Sequence, residues 1–170
     1  MISQAMQDAF NKQINEELFS AYLYASMANY FEDKSLKGFA HWMRLQSEEE
    51  LVHTRRIVTF MNDRGGRVLL AAVAAPQSEW ETPLSVFEAA YAHECHISGC
   101  INALSTKAIE EKDHASHAFL EWFVTEQVEE ESNADEIVQQ LKLMEGAPGG
   151  LFLMDRELAQ RTAGPDTTSA

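Results

Sequence analysis

Residues 65 to 81 read Gly65-Gly66-Arg67-Val68-Leu69-Leu70-Ala71-Ala72-Val73-Ala74-Ala75-Pro76-Gln77-Ser78-Glu79-Trp80-Glu81. A glycine pair opens the stretch, a normal helix C-terminal signal, and Thr82-Pro83 follows it, a cap with proline at the first helical position. A structureless joint of 17 residues ordinarily counts against the elements drawn around it. Here its length fits a task. Extended, it reaches up to ~56 Å at ~3.3 Å per residue, while a helix of about 28 residues is ~42 Å long. The joint can therefore traverse a whole helical bundle, so that the helices on either side of it run parallel.

Outward from this stretch the helical period is nearly continuous. Upstream, one apolar stripe is Phe10, Ile14, Ala21, Tyr24, Met27, Phe31, and a second is Leu36, Phe39, Met43, Ile57, Phe60, Met61. Asp33-Lys34-Ser35 separates them, with Ser35 expected as the N-cap of the second helix. Downstream, Leu84, Phe87, Tyr91, Ile97, Ile101 and Leu104 form a third stripe. Asp113 then caps a fourth, Phe119, Phe123, Ala134, Ile137, Leu141, Met144, which ends at Gly146-Ala147-Pro148-Gly149-Gly150. The predicted helices cover about 3–32, 36–64, 83–111, 114–145 and a short amphipathic 153–161, in one domain of residues 1–162 with a disordered tail at 163–170. The short joints make antiparallel neighbours. The expected fold is all-α: an up-down-down-up four-helix bundle with one long crossover between helices two and three and a short C-terminal fifth helix.

Composition agrees and narrows the function. The 170 residues are 45% hydrophobic and 24% charged, with only 8 Gly and 4 Pro, as for a globular helical chain rather than a many-turned β fold. Thirteen basic and 27 acidic residues give a net charge of −14, which argues against a phosphate-backbone partner and leaves nucleic acid out. The longest apolar run, Val68 to Ala75, falls well short of the ~20 residues a membrane span needs. The N-terminal residues carry no basic segment followed by an apolar one, so a cytoplasmic location is expected. Cys95 and Cys100 are five apart on one helix, ~140° apart around its axis, and are read as reduced cysteines rather than a disulfide.

The informative positions are polar residues on the apolar stripes. Glu17 lies seven residues from Phe10 and from Tyr24. Glu50 lies seven from Met43 and Ile57, with His53 one turn on. Glu94 lies seven from Phe87 and Ile101. Glu130 lies seven from Phe123 and Ile137, with Gln127 one turn earlier. Each helix thus points one carboxylate inward near its midpoint. A buried unpaired carboxylate costs several kcal/mol, so four converging on one spot require a cation. Four carboxylates balance two divalent metals, and oxygen-rich ligation with one imidazole suits iron or manganese. Dinuclear carboxylate sites in bundle cores are built from single Glu residues and Glu-x-x-His elements.

At this point the sequence resembles the ferritins, specifically the bacterial non-haem ferritins. The resemblance spans residues 1 to about 161. It rests on Asn15-Glu16-Glu17-Leu18 with Tyr22-Leu23-Tyr24, on Glu48-Glu49-Glu50-Leu51-Val52-His53, and on His93-Glu94. It rests further on Phe119-Leu120-Glu121-Trp122-Phe123-Val124, on Glu126-Gln127-Val128-Glu129-Glu130-Glu131, and on the closing Gly150-Leu151-Phe152-Leu153-Met154-Asp155-Arg156-Glu157-Leu158. It implies a ferroxidase that oxidises Fe(II) with oxygen or hydrogen peroxide and stores ferric mineral inside a homo-oligomeric shell of 24 subunits.

By resemblance, Glu17, Glu50 and His53 match the ligands of a first iron, with Glu50 bridging. Glu94 and Glu130 match those of a second, and Gln127 lies beside the oxygen-binding face. Glu49, Glu126 and Glu129 match a third iron site that shares Glu130; read from spacing alone, Glu126, Glu129 and Glu130 share a helix face, and a solvated acidic face remains the plain alternative. Tyr24 and Trp122 match aromatic positions near the iron, with core packing as the other reading. Gln127-x-x-Glu130 departs from the second Glu-x-x-His of bacterioferritins, and Val52 stands where a haem-ligating bacterioferritin carries Met. No haem is expected, and the seven Met read as core filler. A rubrerythrin-like peroxidase would need a Cys-x-x-Cys iron module, which the sequence lacks, and mini-ferritins normally lack a fifth helix.

The pairs His93/His96 and His114/His117 lie three apart on helices and could each bind a surface metal; solvated side chains are the expectation. The apolar crossover and the fifth helix match the two-fold and four-fold subunit contacts of ferritins, with docking on its own bundle as the alternative for the fifth helix. A di-iron oxidase or peroxidase without storage shares every ligand and stays open as the second function. An inert interaction bundle fails on the buried carboxylates.

Overall fold

The computed structural model describes residues 1–147 and 149–163. Five helices follow in chain order: α1 (Gln4–Asp33), α2 (Lys37–Asp63), α3 (Pro83–Glu110), α4 (His114–Leu143) and α5 (Gly150–Leu158). No strand occurs among the described residues. The largest interfaces pair α1 with α2 and α3 with α4, and α5 packs on α2. The expected disordered tail, apart from Ala163, lies outside the described residues, as does Pro148.

The crossover between α2 and α3 carries no helix or strand and lies along α1. Asn11 donates to the Arg67 carbonyl at 3.0 Å and accepts from the Leu69 amide at 2.8 Å. Asn15 donates to the Ala72 carbonyl at 3.3 Å, and Ser26 to the Gln77 carbonyl at 2.7 Å. Residue numbers rise together along both segments, so the crossover travels in the direction of α1. It carries the chain back to the end of the bundle where α2 began, and α2 and α3 then run parallel. These side chains meet backbone groups that a strand or helix would otherwise have satisfied.

The helix ends follow local chemistry with one exception. Ser3 caps α1 by accepting from the Met6 amide at 3.2 Å. Thr82 and Ser85 form a reciprocal capping box at α3, with Pro83 inside it. Asp113 caps α4, accepting from the Ser116 amide at 3.1 Å, and is gripped by Arg64 from the end of α2 at 3.0 Å. Ser35 does not cap α2. It takes the left-handed conformation, with φ 61, in the turn, and Leu36 stands at the cap with no side-chain bond. The α2 amides are met from elsewhere: Asp155 of α5 accepts from Gly38 at 2.7 Å and from Phe39 at 3.2 Å. A carboxylate at a helix N-terminus satisfies open donors and complements the macrodipole.

The fifth helix also begins earlier than the sequence pattern indicates, at Gly150 rather than 153, and ends at Leu158. Gly149 at φ 80 turns the chain into it. Met154 and Leu158 enter the bundle core, while Leu151, Phe152 and Leu153 stay exposed. One face of α5 is therefore docked on its own chain and the other is apolar and open.

The core is divided in two. At one end Tyr24, Met27, Phe31, Phe39, Met43, Phe87, Ile137 and Leu141 form an apolar cluster. At the other, Met6, Phe10, Ile14, Ile57, Met61, Ile97, Ile101 and Phe123 form a second. Between them every helix of the bundle changes to polar residues: Gln13 and Glu17, Gln46, Glu50 and His53, Glu94, Gln127 and Glu130 are all buried. The antiparallel and parallel pairings bring these breaks to one level, as a polar belt between two dry plugs.

Candidate metal centre

Each belt residue is delivered by a helix midpoint, where the backbone is fully bonded and the side chain has little freedom. Glu17, Glu50, Glu94 and Glu130 are 1, 2, 1 and 5% exposed, and His53 is 3% exposed. His53 and Glu50, three apart on α2, meet with Nδ1 3.3 Å from Glu50 Oε2, and Glu17 Oε2 is 4.0 Å from the same nitrogen. Ligand atoms of Glu17, Glu50 and His53 lie within 4.8 Å of one another. His53, Glu126 and Glu130 form an overlapping group of the same compactness. One imidazole thus stands between two carboxylate sets.

Amides and a phenol hold the carboxylates. Gln13 donates to Glu17 Oε1 at 2.9 Å. Gln46 donates to Glu130 Oε2 at 2.8 Å and to Glu50 Oε1 at 3.5 Å. Gln127 donates to Glu94 Oε2 at 3.2 Å. The Tyr24 hydroxyl, fully buried, donates to the Glu94 carboxylate. Glu17 Oε2 is left buried with no hydrogen-bond partner. An orphaned acceptor of that kind normally costs about 1–3 kcal/mol, and more when it belongs to a charged group, and it faces the imidazole and Glu50.

Electrostatics point the same way. Burial, with the neighbouring charge of Glu50, pushes the Glu17 carboxyl well above its ordinary range. Glu50 is raised by burial and by Glu94 and Glu130. Glu94 is raised by burial, against the hydrogen bonds of Tyr24 and Gln127. Glu130 is pushed up to about 8, by burial first and then by Glu94. Without a cation the belt holds protons that a surface carboxylate would shed. A set of oxygen donors this costly to ionise is satisfied by hard or borderline divalent cations.

The remaining sequence candidates are placed less uniformly. Glu126 is half-buried and joins His53 and Glu130. Glu49 is held by Arg161, whose guanidinium donates to its carboxylate at 2.5 Å and to Gln46 Oε1 at 3.0 Å while lying 4.4 Å over the Trp42 ring. Glu129 is exposed. Glu49 is thus held at Arg161, Glu126 at the His53 and Glu130 group, and Glu129 at the surface. Trp122 packs its ring edge-on to His53, 5.4 Å between centroids, with Arg56 over its face at 3.8 Å.

Of the histidine pairs, His96 and His114 are exposed as expected, whereas His93 and His117 are half-buried. His93 is half-buried and bonds Ser20 Oγ at 2.8 Å, and burial followed by the nearby His96 lowers it to about 4. His96 meets Glu16, and His117 meets Ser105 at 3.2 Å. Gln13, Gln46 and Arg161 are site residues that the sequence reading missed. Gln13 and Gln46 sit one turn before Glu17 and Glu50, as Gln127 sits one turn before Glu130, so a local signal existed. Arg161 carried none, since its reach to α2 depends on where α5 docks.

Comparison with known proteins closes the identification. Residues 7–144 match the family model described as a ferritin-like domain. The chain is 43% identical over 161 residues to a bacterial non-heme ferritin of Bacteroides fragilis, covering 95% of this chain and 100% of that one. It is 36% identical over 162 residues to the bacterial non-heme ferritin of Staphylococcus saprophyticus, covering 95% and 97%. Among solved structures, an engineered closed form of the Archaeoglobus fulgidus ferritin superposes with a TM-score of 0.95 at 48% identity, over 96% of this chain and 100% of that one. A structure of the open-pore ferritin from the same archaeon gives 0.94 at 48% identity, over 95% and 99%. With its two-plug bundle, its parallel α2 and α3 and its belt of buried carboxylates, this chain belongs to the ferritin family.

Proposed function

We propose that the chain is an iron-storing ferroxidase. Fe(II) is its substrate and ferric iron its cargo. Glu17, Glu50 and His53 bind one Fe(II), Glu94 and Glu130 bind a second, and Glu50 bridges the two. Gln127 faces the oxidant beside Glu94, and Tyr24 holds Glu94 in place. The observation that carries this reading is the convergence of four carboxylates and one imidazole at a single buried level, with Glu17 Oε2 unpartnered. Two Fe(II) ions neutralise four carboxylates and displace the protons the belt retains without metal. Oxygen or hydrogen peroxide then takes one electron from each iron. Ferric ions overcharge the belt, which favours their passage toward a mineral store.

Glu126 extends the belt toward a third iron, and Glu49 and Glu129 complete that site only if Arg161 releases Glu49. A homo-oligomer of 24 subunits enclosing the mineral fits the apolar surfaces that a lone subunit leaves open: Leu69 and Leu70 on the crossover, and Leu151, Phe152 and Leu153 on α5. Similar solved structures include one described as open-pore and one as an engineered closed form, so the way the shell closes is a property to measure for this chain. No haem is part of this reading, and the valine at position 52 stays a packing residue. No helix among the described residues is long and apolar enough to cross a membrane, and the proposed location is the cytoplasm.

The test is Glu50→Ala, which removes the bridging ligand. Stopped-flow oxidation of Fe(II) in air should lose its fast phase in the variant. A variant that oxidises at the wild-type rate rejects the assignment.

A further inference from the structure

We propose that Glu16, His96 and Cys100 form a second metal site, for a borderline divalent cation of the Zn(II) class, in the groove between α1 and α3. None of its three ligands belongs to the polar belt, and it stands whether or not the belt oxidises iron.

Two edges of the group match those of a tetrahedral site. His96 Nε2 lies 3.2 Å from Glu16 Oε2 and 3.6 Å from Cys100 Sγ, and the three ligand atoms are all within 4.8 Å of one another. Around a tetrahedral zinc with its usual bond lengths, the nitrogen-to-oxygen edge is about 3.4 Å and the nitrogen-to-sulfur edge about 3.6 Å. The side chains already stand close to those separations. His96 and Cys100 are four apart on α3 and so share a face, and Glu16 reaches them from α1.

Charge and softness agree. A carboxylate and a thiolate neutralise a divalent cation, and the imidazole adds a ligand without charge. One sulfur and one nitrogen favour zinc over the hard cations that suit the all-oxygen part of the belt. The groove has a volume of about 400 Å³, and Lys12, Gln13 and Gly99 line it beside His96 and Cys100. No atom lies within 4 Å of a Cβ built on Gly99, which leaves an open side. The His96 side chain is 56% exposed, so solvent supplies the fourth position. Burial and the Glu16 charge hold the Cys100 thiol up, and Lys12 pulls it down. On binding, the cation takes the place of the thiol proton, which leaves to solvent. Gln13, which lines the groove, donates to Glu17 on its inner side, so the occupant sits at the outer edge of the belt.

The test uses the full-length Cys95→Ser protein, in which Cys100 is the one thiol of the chain, titrated anaerobically with Co(II). Thiolate-to-cobalt charge transfer absorbs strongly in the near ultraviolet, and carboxylate or imidazole ligation does not. The expected result is a saturable band, displaced by Zn(II), with the intensity of about one thiolate–cobalt bond per chain, whatever further Co(II) the belt takes up. It should vanish in Cys100→Ser. In His96→Gln the affinity should fall by more than the roughly 10-fold that losing even an outer-shell partner costs. Circular dichroism checks that each variant keeps its helices. A measurement that leaves the site intact runs beside it: Zn(II) should slow modification of Cys100 by a disulfide reagent in the Cys95→Ser protein. Absence of the band, its survival in Cys100→Ser or at unchanged affinity in His96→Gln, or no protection by Zn(II) would each overturn the site.

Discussion

Glu130 shows what a single residue contributes and what it costs. Its carboxyl is raised from an ordinary 4.5 to about 8 by burial and by Glu94. The folded, metal-free state therefore holds a proton that the unfolded chain releases. Stability from this group is fully present below about pH 4.5 and is lost as pH rises through about 8, at up to ~1.4 kcal/mol per pH unit. Urea unfolding of metal-free protein should show falling stability as pH rises between these two values, and a rise would contradict the assignment. The same linkage requires proton release when a divalent metal binds at neutral pH. An unbuffered Zn(II) titration that released none would argue against metal at the belt. Tyr24 is a gentler case. Tyr24→Phe removes one donor to Glu94 and should lower the stability of the metal-free protein by about 1 kcal/mol, measured by denaturant unfolding. The four inward carboxylates and His53 were legible in the sequence because each carboxylate interrupts a seven-residue apolar spacing and His53 follows one of them by a turn. Arg161 was not, since no local pattern tells a terminal arginine that it will lie over Trp42 and hold Glu49.

Among the elements, α5 is the one whose placement rests on a single close approach. A Cβ added to Gly38 would lie 1.6 Å from the Asp155 carbonyl oxygen and 3.1 Å from the Ala159 amide nitrogen, backbone atoms that cannot move without displacing α5. Gly38→Ala should cost about 1–3 kcal/mol, as overpacking does. It should also break the two bonds from Asp155 to the α2 amides and free Arg161 from Gln46 and Glu49. Hydrogen exchange at residues 150–158 is the check. Exchange as slow as in the unmodified protein would mean that α5 does not depend on this contact. The glycine was visible in the sequence, but the contact was not, because it joins residues more than a hundred positions apart. The same distance explains the misplaced cap. Ser35 has the right chemistry for an N-cap, yet the turn needs a left-handed residue there and Asp155 supplies the acceptor. Length alone reveals the crossover, while the asparagines that fasten it, Asn11 and Asn15, give no signal beyond being polar on the outer face of α1.

For the whole molecule, the two apolar plugs and the surfaces left open decide what the chain does. A lone subunit exposes Leu151, Phe152 and Leu153 side by side, 44, 64 and 65% exposed, beside an α5 face that is already docked. Replacing all three by serine should leave the helices intact and shift light scattering to smaller assemblies. An unchanged large particle would remove α5 from the subunit contacts. Storage requires such a shell, whereas a di-iron oxidase would need only the belt, and the ligands are common to both. Family membership and the belt support iron binding under either reading; the capacity to hold mineral separates storage from oxidation alone. The decisive measurement is iron per chain after aerobic loading with excess Fe(II) and size-exclusion chromatography. An iron-storing ferroxidase gives iron far above the belt's capacity, eluting with a large assembly. Only about two or three irons per chain, the filling of metal sites alone, would contradict storage and leave a di-iron oxidase in its place.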